Sequence, residues 1–359
     1  MRDREYLKLA ELTTQNKATE KSVKRFEENR KRKWGLLGVD TGIHDLNLAI
    51  GGWIPGKLTT IAGRSGTGKT SISVPFFDKG GTVVNGRRAE FIFFTWEMAP
   101  DYLVDRHISH VTGIDNRMFT QGAKLLSPQE LAEIKKAYGH ADTLPVIYQE
   151  MALDITKVQL LYSQFADKCK EKSKVEGVEV LPVAVIDYVN MAMFEGSGLR
   201  TYGIQEFMNG LKRMVNKERG AACVFAQINR SADDKGVPTR ADLSDSQHIE
   251  NASDNLIILH RPEHHGETEI QNPMSGEDVE AKNTMLMRLV KCRDGAVGDI
   301  LMHCEIGLHR YWSWMHEQTT NYPELYNDSE FWMQHFGINK IDTTHKHVNI
   351  PQLFDEHVT

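Results

Sequence analysis

Between about Gly35 and Met315, short apolar runs alternate with segments whose apolar residues return every three or four positions. The runs KLTTIAG (57–63), AEFIFFT (89–95), VLPVAVID (180–187), AACVFAQ (221–227), NLIILH (255–260), TMLMRLVK (284–291) and DILMHCE (299–305) predict strands. They are short, continuous and rich in β-branched and aromatic side chains. TKVQLLYSQFADKCKEK (156–172) and IQEFMNGLKRMVNKE (204–218) place their apolar residues on one helical face. Strands alternating with such helices predict an α/β domain with a mostly parallel central sheet flanked by helices. The alternation fails at both ends. Residues 1 to about 34 are highly charged, contain no Gly or Pro and end in KRFEENRKRKW, which predicts one or two exposed helices. From about His316 onward acidic residues outnumber basic ones, as in an appended tail. The expected division is therefore 1–36, 37–315 and 316–359.

Composition narrows the picture. With 359 residues and 40% hydrophobic content the chain can bury a substantial core. A net charge of −6 gives no global basic field, so any nucleic-acid contact must be local, as in the channel of a ring. Cys169, Cys223, Cys292 and Cys304 are scattered without a C-x-x-C pair, which predicts reduced thiols in a cytoplasm-like compartment. The N-terminus has no apolar h-region, and no window approaches the roughly 18 apolar residues of a membrane span. A cytoplasmic protein with no membrane partner is expected.

The chemistry is concentrated at strand ends. Gly63-Arg64-Ser65-Gly66-Thr67-Gly68-Lys69-Thr70 is a full G-x-x-x-x-G-K-T element between the run KLTTIA and the helical SISVPFF. Its backbone N–H groups would wrap phosphates, assisted by the dipole of the following helix. Lys69 would neutralise the β- and γ-phosphates of ATP, and the Thr70 hydroxyl would coordinate Mg²⁺. Asp187 closes the run VLPVAVID, where a strand would deliver a carboxylate toward that metal. Glu97, at the end of AEFIFFTW, is the candidate base for an attacking water. Gln227, after AACVFA, would sense the γ-phosphate. His260, His264, His265, His303 and His309 lack ligand-like spacing, and the first three are expected on a polar loop after a strand.

With these positions marked, about Gly38 to Trp314 resembles the RecA-like motor domain of DnaB-type replicative helicases. The resemblance rests on VDTGIHDLNLAIGGWIPGKLTTIAGRSGTGKT, FFTWEM, VIDYVNM with the helix RTYGIQEFMNGLKRMVNKE, FAQINR, DLSDSQHIENASD and LVKCRDG, in that order. In DLSDSQHIENASD, Ser253 stands where the family pattern has Ala.

This resemblance implies an ATP hydrolase that assembles as a ring, expected to be a hexamer, and moves 5′ to 3′ on single-stranded DNA. It implies that Lys291 and Arg293 reach the γ-phosphate bound by a neighbouring subunit, as arginine fingers do. It places DNA contacts in the loops at about 195–200 and 231–247. The candidates there are Arg200, Lys235, Arg240, Ser244, Asp245 and Gln247. The family's R-E-S-G stretch reads Ser244-Asp245-Ser246-Gln247 in this chain. Residues 17–33 take the place of the family's linker helix and are expected to drive oligomerisation. With about 35 residues ahead of the motor, the family's separate N-terminal collar is not expected, as in a shortened, phage-encoded helicase. The acidic tail is expected either to dock a primase, helicase loader or polymerase or to fold as a cap on the motor itself. The alternative within the fold is a recombinase or KaiC-like regulatory ATPase. From another class, it is a nucleic-acid binding module that uses ATP only to assemble.

Overall fold

The computed structural model describes residues 14–30, 36–189, 192–193, 200–228, 236–243, 246–273 and 275–314, with backbone only at 200, 201 and 246. In chain order the elements are α1 (Gln15–Arg30), α2 (His44–Ile50), β1 (Leu58–Gly63), α3 (Val74–Gly80), β2 (Arg87–Thr95), α4 (Pro100–Thr112), α5 (Arg117–Thr120), α6 (Pro128–Ala141), β3 (Val146–Gln149) and α7 (Ile155–Glu176). There follow β4 (Glu179–Asp187), α8 (Arg200–Glu218), β5 (Ala221–Gln227), α9 (Ser246–Ala252), β6 (Asn255–His260), β7 (Glu269–Gln271), β8 (Asp278–Glu280), β9 (Thr284–Cys292), β10 (Gly298–Glu305) and β11 (Arg310–Ser313).

Nine strands form one sheet in the order β11-β10-β9-β6-β1-β5-β4-β2-β3. The six from β6 to β3 are parallel, and β9, β10 and β11 extend the β6 edge antiparallel. Both faces of the parallel part are buried. Along β4, Ala184 and Ile186 pack with α7, α8 and α9, while Val183 and Val185 pack with α2, α3 and α4. Burial on two faces is what makes these strands read as unbroken apolar runs.

Helix ends agree with local chemistry. Asp154 caps α7 by accepting from the Lys157 N–H at 3.0 Å, and Gly177 ends it with φ 71°. Ser127 and Glu130 close a reciprocal capping box on α6. The helix α1 exposes all its faces, with no buried residue. The described residues belong to one unit that runs to Thr320, and the expected tail from 316 lies outside them.

Candidate functional site: a phosphate site at the carboxyl ends of the strands

Strand register assembles the site. Gly63 pairs with Gln227, and Thr95 pairs with Asp187, so the ends of β1, β5, β2 and β4 meet at one edge of the sheet. Ligands of parallel α/β sheets gather at that edge. Past β1 the chain turns through the P-loop. Gly66 and Gly68 have φ of 76° and 98°, and a Cβ on them would lie 2.7 Å from His264 Nε2 and 2.5 Å from Ile306 Cδ1. Only glycine meets both the backbone and the space requirement. A 3-10 turn, Ser71–Ser73, then leads into α3.

Lys69 Nζ donates to the carbonyls of Gly63 and Arg64, both at 2.8 Å. Its ammonium thus rests on the loop's own backbone. The Thr70 hydroxyl donates to Asp187 Oδ2 at 2.6 Å. Asp187 Oδ1 is buried and has no hydrogen-bond partner among the described residues. Burial pushes this carboxyl up to about 6, opposed by the Thr70 hydrogen bond; Glu97 raises it further and the cations Lys69 and Arg106 lower it. Lys69 is shifted down by burial, against the charges of Asp187 and Glu97. A hydroxyl, a buried carboxylate with a spare oxygen and a nearby ammonium are a donor set suited to Mg²⁺ and phosphate.

The other sequence candidates divide. Glu97 is exposed two residues beyond the end of β2, close enough to Asp187 and Lys69 to act on both charges. Gln227 ends β5 beside Gly63. Ser65 is exposed on the loop, whereas the Thr67 hydroxyl turns inward to the Arg64 carbonyl at 2.8 Å. Arg64 is buried and donates to the Gly236 carbonyl at 3.1 Å, so its side chain ties the P-loop to the segment beyond β5. His260 is a buried strand end that bonds Glu267 at 2.9 Å, not the loop residue expected; His264 and His265 do lie in the following 3-10 turn. The apolar run NLIILH, which ends on His260, coincides with β6 and accounts for that place.

Lys291 and Arg293 are elsewhere. β9 runs antiparallel to β6, which pairs Lys291 with Leu256 and sets both cations beside the start of β6. Lys291 donates to the Glu250 carbonyl, and Arg293 pairs with Asp254 at 3.2 Å. The length of β6, about 16 Å at 3.3 Å per residue, separates them from the edge that holds the P-loop. Of the DNA candidates, Arg240 pairs with Glu250 at 3.2 Å and Gln247 is exposed on α9. Arg200 begins α8; its side chain, together with Lys235, Ser244 and Asp245, lies outside the described residues.

One residue of the site escaped the sequence reading. Arg106, half-buried on α4, is shifted down by burial while the charges of Asp187, Tyr311 and Glu97 act against that shift. It is a second cation at the phosphate edge. Its only signal was an arginine beside the buried face marked by Leu103 and His107, on the helix that follows Glu97.

Residues 38–312 match the family model of the DnaB-like helicase C-terminal domain. The chain belongs to that family. It is 26% identical over 239 residues to the replicative DNA helicase DnaB of Helicobacter pylori, covering 66% of this chain and 46% of that one. It is 23% identical over 230 residues to the Mycoplasma genitalium protein of the same name, covering 63% and 47%. This chain thus spans about half the length of the curated relatives it matches. Among solved structures, one described as an ATPase domain superposes with a TM-score of 0.70 at 17% identity, covering 84% of this chain and 99% of that one. A DnaB-like replicative helicase, described with its interactions with primase, gives 0.68 at 17% identity, covering 84% and 67%. The fold of this DnaB-like domain is therefore the RecA-like one expected.

Proposed function

We propose that this chain is the motor of an ATP-driven replicative DNA helicase. It assembles as a ring, expected to be a hexamer, and moves 5′ to 3′ on single-stranded DNA to open duplex at a replication fork. One observation carries this reading: the P-loop and the Lys291–Arg293 pair occupy opposite edges of one sheet. A cation pair that cannot reach its own phosphate site is useful to hydrolysis only beside a neighbour's.

In this reading the P-loop backbone binds the phosphates, and Lys69 exchanges the carbonyls of Gly63 and Arg64 for phosphate oxygens. Thr70 and Asp187 would hold Mg²⁺, which neutralises phosphate charge when bound. Glu97 orients the attacking water and accepts its proton. Gln227 senses the γ-phosphate and passes its loss into the segment beyond β5, to which Arg64 also bonds. Arg200, Lys235, Arg240, Ser244, Asp245 and Gln247 are the residues assigned to DNA, with Arg200 at the start of α8 and Gln247 on α9. α1 serves oligomerisation, and the 316–359 tail docks a primase, loader or polymerase. The primase named with one solved relative supports the first of these. The reading places its action in a bacterial or phage-infected cytoplasm; no described helix is long and apolar enough to cross a membrane.

The test is unwinding of a forked duplex by wild type and Lys69→Ala, with native mass for ring size. ATP-dependent strand displacement by wild-type rings, absent in Lys69→Ala, is expected. ATP hydrolysis without displacement would favour a recombinase-like or assembly role.

A further inference from the structure

Three side chains converge at α4, against which both α3 and α6 pack. Asp78 of α3, His107 of α4 and His140 of α6 each offer a ligand atom, and these atoms all lie within 4.8 Å of one another. His140 Nε2 already sits 3.1 Å from Asp78 Oδ1. The His107 and His140 ring centroids are 5.5 Å apart. His107 is only 2% exposed, yet neither of its ring nitrogens has a hydrogen-bond partner among the described residues. A buried imidazole normally satisfies at least one nitrogen. This one faces a carboxylate and a second imidazole and bonds neither.

We propose that Asp78, His107 and His140 form a binding site for a divalent transition metal, Zn²⁺ in the first instance, that fastens the three helices to one another. Two imidazoles and a carboxylate are a zinc donor set, leaving a fourth position for water. Hard ions such as Mg²⁺ choose all-oxygen sites, which separates this site chemically from the Thr70–Asp187 pair. Zn–N bonds of about 2.0–2.1 Å set tetrahedral donors about 3.3 Å apart. The His140–Asp78 separation meets that spacing now, and small side-chain rotations bring His107 to it. A cavity of about 240 Å³ lined in part by His107, Leu103 and Tyr148 gives the buried ring room to turn. His107 directly follows Arg106, so the bound ion fixes the helix that carries the extra cation of the phosphate edge.

The experiment uses the full chain, stripped with a chelator and titrated with Zn²⁺ by calorimetry and with Co²⁺ as a visible-absorption probe. One equivalent per chain is expected, with an X-ray absorption shell of nitrogen and oxygen only. His140 is 47% exposed, so His140→Ala keeps the fold and is expected to lose the site, as is Asp78→Asn. Circular dichroism checks that both variants remain folded. Binding that persists at full stoichiometry in both variants, a sulfur shell, or no Zn²⁺ uptake by wild type beyond that of His140→Ala would each overturn the proposal.

Discussion

Asp187 lies beneath the P-loop with its carboxyl pushed up to about 6, first by burial, against the Thr70 hydrogen bond. Because the folded value exceeds the ordinary 3.8, the folded chain holds this proton more tightly than the unfolded chain does. The group's contribution to stability is therefore present in acid and lost as pH rises through about 6. A bound divalent cation offsets that loss. In the proposed reading protons and Mg²⁺ compete for the same carboxylate, and Mg²⁺-dependent ATP affinity should fall about fourfold when pH drops from about 7.5 to about 5.5. Fluorescent-nucleotide titration at both pH values measures it, and Asp187→Asn subtracts the nucleotide's own titration. Equal pH dependence in wild type and Asp187→Asn would show that Asp187 holds no cation. Glu97 poses a different question, since it is exposed. Glu97→Gln should keep ATP affinity and lose turnover by ~10²–10⁴-fold. Steady-state hydrolysis at the wild-type rate would refute its role as base.

At the scale of elements, Asp254 joins four of them. Its Oδ2 accepts from the Leu58 N–H of β1 at 2.8 Å and from Lys212 of α8 at 2.5 Å, and its Oδ1 pairs with Arg293 just past β9, while Asp254 itself precedes β6. Removing one member of such a buried network leaves its partners unpaired, so Asp254→Ala should cost about 3–5 kcal/mol in chemical denaturation. A loss under about 1 kcal/mol would mean the network is not coupled to folding.

The neighbouring Ser253, which departs from the family's Ala, is accounted for in the same place. Its hydroxyl donates to the Ile249 carbonyl at 2.7 Å and lies 2.7 Å from Thr60 Oγ1. Such partners are invisible in sequence, because residues 60 and 253 meet only when β1 and β6 pair. For the same reason Arg106 was missed, whereas Lys69, Thr70 and Asp187 follow from local spacing and strand ends. The central strands were legible because burial on both faces leaves continuous apolar runs. β3 and β11 are edge strands of four residues, and β7 and β8 have three residues each, too few to show a period.

At the scale of the whole molecule, the distance between Arg293 and the P-loop decides what a mixture of variants must do. In the proposed reading, Lys69→Ala would remove the phosphate-binding half of a shared site, and Arg293→Ala the half lent to a neighbour. Each variant alone should lack ATPase activity, with Arg293→Ala retaining ATP affinity. In a ring assembled from equal amounts of both, a site is complete wherever an intact P-loop meets an intact finger. Random arrangement makes roughly a quarter of the sites complete in a heterologous ring. Mixing the two inactive variants should therefore restore hydrolysis toward that fraction, provided subunits exchange, which native mass spectrometry of the mixture verifies. If Arg293 acted within its own chain, an exchanged mixture would stay inactive, since every subunit would carry one defect. If Arg293 served only stability through Asp254, Arg293→Ala would hydrolyse ATP by itself wherever it folds. The three outcomes separate a shared site from a private one and from a structural ion pair.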